Sequence, residues 1–330
     1  MTEAADAVII GAGPAGSAAA TVLASRGFRT TVLEAKTFPR RKVCGAFLSA
    51  QAGAVLRELG AAEDVERAGP AQIDGGSLHL PSGLSVAFDL PARGLGISRF
   101  ALDQLLAERS ARAGAILKFG ARVAGVERES TGFLVRLSNG ESLTARVVIG
   151  AWGRWDALDR ALERPLPGRS RYLGWSSEYQ GDGTHLKGSV RLYVYDGGYC
   201  GLSLVEGGRV NLAGVIAAEA RHRLGAGWEA VVALARRSNR RLDADLEGLT
   251  PVDFLGTGHV FFAARGPTDR GILLVGDAAG ALDPFSGQGQ AMALRSGALA
   301  AETAARHLAK RTADENLPRD YTAAWRAQFG

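Results

Sequence analysis

Val8-Ile9-Ile10-Gly11-Ala12-Gly13-Pro14-Ala15-Gly16 stands near the start of the chain and decides how the rest is read. Asp6 to Ile10 is a short apolar run ending at a glycine, as a buried parallel strand does. Pro14 to Ser25 is alanine-rich and uninterrupted, which predicts a helix. Thr30 to Glu34 predicts the second strand of a βαβ start. At the turn, Gly11 allows a tight reversal, Gly13 lets a pyrophosphate approach the backbone, and Gly16 lets helix and strand pack closely. Free N–H groups at the helix start suit the same anion. Glu34 ends the second strand, where an acidic side chain binds a ribose 2′-hydroxyl and repels a 2′-phosphate. The segment therefore reads as a dinucleotide site, with Pro14 and Ala15 in the turn and Ala35 beside the acid.

More than 250 residues later a second glycine-rich segment occurs, Leu273-Leu274-Val275-Gly276-Asp277-Ala278-Ala279-Gly280, followed by Asp283 to Gln290. Gly271 to Val275 predicts another buried strand, with Asp277 just past its carboxyl end. An aspartate there can hydrogen-bond the ribityl hydroxyls of a flavin. Pro284, Gly287, Gln288 and Gly289 then lead into a helix over roughly Gln290 to His307. Its N-terminus would face a flavin ring and favour negative charge on it. Read together, the two segments form the walls of one FAD site.

The 330 residues suggest about two domains. No apolar run reaches the roughly 18 residues that span a bilayer, and the start of the chain lacks a signal peptide's features. A soluble, cytoplasmic protein is the expectation. The net charge of +5 is scattered, densest at Arg40-Arg41-Lys42 and at Arg236-Arg237 with Arg240-Arg241. It carries no recognised nucleic-acid motif and reads as solvated surface, with attraction to an anionic cofactor or lipid headgroup as the other option. The 2 cysteines, Cys44 and Cys200, make neither a metal site nor a disulfide framework, and the 5 histidines show no metal or triad spacing.

With GAGPAG at Gly11–Gly16, Glu34, Lys42-Val43-Cys44-Gly45, Arg99 with Leu102-Asp103, and Gly276-Asp277 with Pro284 and Gly287-Gln288-Gly289, the chain resembles the FAD-dependent oxidoreductases of the glutathione-reductase-like type. Its branch is that of the geranylgeranyl reductases and aromatic hydroxylases. The resemblance implies an α/β fold with a Rossmann-like FAD domain of the p-hydroxybenzoate-hydroxylase type and an antiparallel-sheet substrate domain. The FAD domain would comprise residues 1–70, 99–170 and 265–330, and the substrate domain residues 71–98 and 171–264. It implies FAD contacts at Arg41, Cys44, Gly45 and Val123, and places Arg99 along the ribityl and phosphate groups.

A helix from Ser98 to Ala113 and a meander with a hairpin at Asn139-Gly140 fit this plan. By resemblance to prenyl reductases, Cys44 lies beside flavin and substrate and donates a proton; otherwise it is a buried small hydrophobe. Trp175, Tyr193, Tyr195, Tyr199 and Cys200 are candidates for the substrate pocket, with core packing as the other reading. Reduction would come from transient NAD(P)H docking or another donor, since no second GxGxxG occurs.

Two departures bear on the reaction. Gly150-Ala151-Trp152-Gly153-Arg154 stands where the hydroxylases carry Gly-Ala-Asp-Gly, and Tyr199 to Leu204 lacks the reductases' Tyr-x-Trp-x-Phe-Pro. The expectation is an FAD-dependent oxidoreductase acting on a hydrophobic small-molecule or isoprenoid-like substrate, with flavin carrying hydride transfer in a cavity between the FAD and sheet domains. The alternative is a flavin-dependent monooxygenase or halogenase acting on an aromatic or polyketide-type substrate. Peripheral contact with a membrane or carrier protein is open, as is the oligomeric state. A final helix over Leu317–Phe329 aligns Tyr321, Trp325 and Phe329, and the chain ends earlier than such relatives do.

Overall fold

A computed structural model describes residues 3–154, 157–165, 171–225, 227–310 and 316–330. The boundary expected at residue 170 lies outside them. Two eight-stranded sheets organise the described residues. The first is built on β1 (Glu3–Ile10), β2 (Thr30–Glu34), β6 (Ile116–Phe119), β9 (Ser142–Gly150), β16 (Thr268–Asp269) and β17 (Ile272–Leu274), in the order β16-β17-β9-β1-β2-β6. From β17 to β6 the pairs are parallel. The strands are apolar on both faces because helices cover both. β7 (Val123–Glu129) and β8 (Gly132–Leu137) form the antiparallel meander, and β8 joins β9 through a turn at Asn139-Gly140.

α1 (Pro14–Ser25) follows β1, and α9 (Gly289–Leu308) lies against it. The two helices approach closely because their contact residues are small. A Cβ on Gly297 would lie 2.0 Å from the Ala15 carbonyl oxygen. The buried alanines between them, with Ile9, Leu23 and Tyr321, make the nucleotide-side core. Tyr321 belongs to α10 (Leu317–Phe329) and donates to the Leu274 carbonyl at 2.9 Å.

The second sheet runs β14-β10-β13-β12-β11-β4-β5-β3. Its strands are β3 (Phe47–Leu48), β4 (Ala71–His79), β5 (Ser85–Gly96), β10 (Tyr172–Gln180), β11 (Gly188–Tyr195), β12 (Gly198–Leu204), β13 (Val210–Ala217) and β14 (Thr250–Val260). It is mostly antiparallel, with one parallel pair, β4 on β11. Phe47–Leu48 comes from the first chain segment yet pairs into this sheet. One face packs on α6 (Ala218–His222), α7 (Glu229–Ser238) and α8 (Arg240–Asp245). The other faces the nucleotide unit: Glu178 meets Arg41, Asn211 the Cys44 carbonyl and Tyr199 Asp283, and the cleft runs along that face. The remaining elements are α2 (Ala50–Glu58), α3 (Ala62–Arg67), α4 (Arg99–Arg112), α5 (Ala157–Ala161) and a small pair of β15 (Ala263–Ala264) with β18 (Gly280–Ala281).

Candidate active site

The glycine turn after β1 has the geometry its spacing demands. Gly11 has φ of 105°, and a Cβ on it would lie 2.5 Å from the Ala151 carbonyl oxygen. A Cβ on Gly16 would lie 1.8 Å from the Gly11 oxygen, so only glycine lets α1 start there. Gly13 is different: its missing side chain faces Arg99 Nη2 at 3.6 Å, across open space. No side chain caps α1 at Gly13, and Pro14 occupies the first turn, so the remaining first-turn N–H groups are available to an anion.

Glu34 is buried, and its carboxylate accepts from the Ala12 and Lys36 amides, each at 2.9 Å. Arg40 approaches it at 3.7 Å, and Arg40 Nε is buried with no hydrogen-bond partner. An uncapped helix start, an acid at the strand end and an unpartnered buried guanidinium nitrogen together suit the phosphates and ribose of a dinucleotide.

The far wall converges on the same space. Arg99 at the start of α4 holds the fully buried Asp103 with two bonds, 2.5 and 2.7 Å. Asp277 pairs with Arg154 at 3.3 Å. Lys42 reaches between them, with its Nζ 3.6 Å from the Cβ direction of Gly153. Burial, then the Arg99 charge, pushes the Lys42 ammonium down to about 8. A bound pyrophosphate would favour the charged form instead. Cofactor binding should then take up a proton and weaken as pH rises through about 8. Titration of FAD binding against pH checks this, and Lys42→Gln should flatten the profile.

Past Asp277, Pro284–Ser286 makes one tight turn, and Gly287 takes the left-handed conformation, φ 66°. Gln288 accepts from Ser49 Oγ at 3.2 Å, and α9 starts at Gly289 with no side-chain cap. The next residue, Gln290, donates its amide to Cys44 Sγ at 3.2 Å. Cys44 is half-buried in the cleft, Ala46 N–H also points at its sulfur, and Asn211 of β13 holds its carbonyl at 3.2 Å. Gly45 beside it is exposed, and Ala35 follows β2 half-buried.

Several expectations need correction. Arg41 was expected at the cofactor; it turns to the second sheet, bonding Asp253 at 2.7 Å and Glu178 at 3.0 Å. Two carboxylates there outbid an open cleft, and Arg40 and Lys42 take the cofactor side. The Val123 side chain packs in the core with Leu33 and Val135, which leaves only its backbone to meet a cofactor.

Among the pocket candidates only Tyr199 faces the cleft. Its hydroxyl bonds Asp283 and accepts from the Phe285 amide at 2.9 Å, with the two rings edge to face. Trp175, Tyr193, Tyr195 and Cys200 point to the helix-covered face and are buried there. Trp175 donates to Tyr195, Tyr195 to the Val215 carbonyl and Tyr193 to Asp245. Burial pushes the Cys200 thiol up. A strand separates its two faces, so Cys200 cannot pair with Cys44.

Trp152 is a structural residue. Its indole covers Gly150 and donates to Asp159 at 3.1 Å. Asp159 also binds Arg164 at 2.7 Å and Arg265 at 3.0 Å, and Arg164 reaches the Ala278 carbonyl. This buried cluster ties the loop after β9 to the Asp277 segment. Neither it nor Gln290 was expected from the sequence; position directly after Gly287-Gln288-Gly289 was the one available signal for Gln290.

Comparison with known proteins shows the chain's family. Residues 4–179 match a family model described as an FAD binding domain. The chain belongs to this FAD-binding family. Among its relatives, menaquinone reductase of Mycolicibacterium smegmatis is 28% identical over 323 residues, 92% of this chain and 76% of its own length. Digeranylgeranylglycerophospholipid reductase 1 of Methanopyrus kandleri is 29% identical, covering 98% of this chain and 86% of that protein. Among solved structures, the myxobacterial chondrochloren halogenase CndH has a TM-score of 0.85 at 23% identity, covering 99% of this chain and 80% of that one. The brominase Bmp2 gives 0.83 at 20%, covering 98% and 83%. These structural likenesses speak for the fold. As a member of this family the chain binds FAD and is an FAD-dependent oxidoreductase. The residues described fit that cofactor: Gly13, the start of α1 and Glu34 would hold its adenosine diphosphate half, and Asp277 with Pro284–Gly289 its flavin half. Among the described residues no helix is long and apolar enough to cross a membrane, and no cluster suits a metal.

Proposed function

We propose that the protein reduces a carbon–carbon double bond in a hydrophobic, isoprenoid-like molecule lying in the cleft. The carrying observation is the half-buried thiol of Cys44, held by the Gln290 side-chain amide at the start of α9, with the Cys44 carbonyl bonded to Asn211 of the second sheet. When bound and reduced, FAD supplies a hydride. The chain's own residues do the rest. Cys44 gives its proton to the second alkene carbon, and water reprotonates the sulfur. The Gln290 and Ala46 N–H groups point at that sulfur and stabilise the thiolate left behind. The cleft face of the sheet, with Val190, Leu192 and Val194 half-buried, supplies an apolar wall for the chain of the substrate. The relatives named for menaquinone and for a digeranylgeranyl lipid act on polyprenyl molecules, in keeping with this wall. The electrons would come from NAD(P)H docking transiently or from another reductant.

The test is anaerobic. The FAD-loaded protein, reduced and mixed with a polyprenyl lipid, should yield product carrying two added hydrogens without oxygen. Cys44→Ala should slow that step by about 10²–10⁴-fold. Unchanged turnover in Cys44→Ala would remove the proton role, and a product that forms only with oxygen and contains it would replace reduction by monooxygenation.

A further inference from the structure

The second sheet reaches the cofactor side through one chain of charges. In the turn Glu206–Gly208, between β12 and β13, Glu206 is buried. Its carboxylate accepts from the Ser98 amide at 2.7 Å and from the Ser98 hydroxyl at 2.6 Å. Ser98 is the N-cap of α4, and its Oγ in turn accepts from the Ala101 amide at 3.2 Å. Gly96 permits the close approach. A Cβ there would lie 2.0 Å from the Leu204 carbonyl oxygen, so the chain enters α4 pressed against the end of β12.

From Glu206 the chain of charges runs on across the sheet. Arg209 bonds Glu206 and reaches Glu178 of β10 at 2.6 Å. Arg41 meets Glu178 at 3.0 Å and Asp253 of β14 at 2.7 Å. Carboxylate and guanidinium alternate from Glu206 to Asp253, and a buried or half-buried array paired in this way holds its members in place. It touches the cofactor side twice, at Ser98 just before Arg99 and at Arg41 just before Lys42. Those two cations face one space: the Arg99 charge acts on Lys42, and Arg99 Nη2 lies 3.6 Å from the Cβ direction of Gly13.

We propose that Glu206 is a positioning residue for the cofactor: by holding both polar groups of Ser98 it fixes the first turn of α4 and aims Arg99 at the phosphates beside Gly13. Other contacts leave this task open. The Arg99–Asp103 pair lies within α4, so it fixes the side chain relative to its own helix only. Leu102 and Leu106 share a core with Ala18 of α1 and set the spacing of the two helices. The end that carries Arg99 is held by Glu206. The proposal rests on the reading that Arg99 meets the cofactor's phosphates.

Titration of the apoprotein with FAD, followed by flavin fluorescence, tests it. Glu206→Gln keeps the size of the side chain and an acceptor for the Ser98 amide, so the melting temperature should stay near the parent's. FAD should bind about tenfold more weakly, as the loss of one charge-assisted interaction predicts. The same substitution is then made where the Arg99–Asp103 pair is absent. Arg99→Met with Asp103→Leu removes both partners and leaves no lone buried carboxylate. In that background Glu206→Gln should change FAD affinity by less than about twofold. A general stabilising role would give the full loss in both backgrounds and would overturn the proposal, as would unchanged FAD affinity in Glu206→Gln alone. Unchanged affinity in Arg99→Met with Asp103→Leu would remove the reading of Arg99, and the proposal with it. Should the triple variant fold poorly, Ser98→Ala serves as the second background. Glu206→Gln should cost less there than in the parent, and a fully additive loss would again overturn the proposal.

Discussion

Asp159→Ala should destabilise the protein by about 3–5 kcal/mol. The carboxylate is fully buried between Arg164 and Arg265, whose side chains are only 5% and 6% exposed, and Asp269, 3.4 Å from Arg164, is the second carboxylate of the cluster. Removing it leaves two guanidinium groups and the Trp152 indole N–H without their common acceptor. An uncompensated buried charge costs far more than the pair contributes when intact. Denaturant unfolding measures the loss, and the midpoint should fall with the slope unchanged. Asp159→Asn keeps an acceptor for Trp152 and should cost less. Because Arg164 also holds the Ala278 carbonyl, flavin should leave the variant before global unfolding. A change below about 1 kcal/mol would mean that the cluster is not the anchor described here.

Substitutions at Gly16 and Gly13 should fail in different ways. At Gly16 a Cβ would meet the Gly11 backbone oxygen at 1.8 Å, and backbone cannot rotate aside. Gly16→Val should push α1 off β1, costing about 1–3 kcal/mol or more in strain and abolishing FAD retention. At Gly13 nothing but the tip of Arg99 stands in the way. Gly13→Ala should fold with near-parent stability yet bind FAD at least about tenfold more weakly, since the methyl occupies the approach to the backbone. Apoprotein melting curves and flavin titration separate the two. Equal stability losses at both positions would contradict the geometry.

The nucleotide half was open to reading because its constraints are local. Gly16 and Glu34 act on neighbours fixed by a strand, a turn and a helix, and Asn139-Gly140 makes its own turn. The family model and the relatives agree with FAD and with an oxidoreductase. The second sheet was less open. Alternation along β10, β11 and β12 separates two faces but does not say which one meets the cofactor. Tyr199 fell on the cleft side; Trp175, Tyr193, Tyr195 and Cys200 fell on the other. The decision lies in residues far away, α7 and α8, whose apolar sides needed covering. Arg41 shows the same limit. Its partners, Glu178 and Asp253, are set by pairing between β10 and β14, which no local pattern reports. Trp152 was visible as a departure, but its acceptor Asp159 belongs to a short helix with no pattern of its own.

The attachment of residues 41–44 has a mechanical meaning. Arg41 is clamped by Glu178 and Asp253, and the Cys44 carbonyl by Asn211, all on the second sheet. The glycine turn and α9, by contrast, are locked to each other backbone to backbone. The Cys44 backbone is thus tied to the second sheet, while its sulfur is tied through Gln290 to α9 on the other body. The thiol marks the seam, and any rocking of the two bodies would lengthen one of those two bonds. Proton delivery and hydride delivery would then both depend on how closely the two bodies meet.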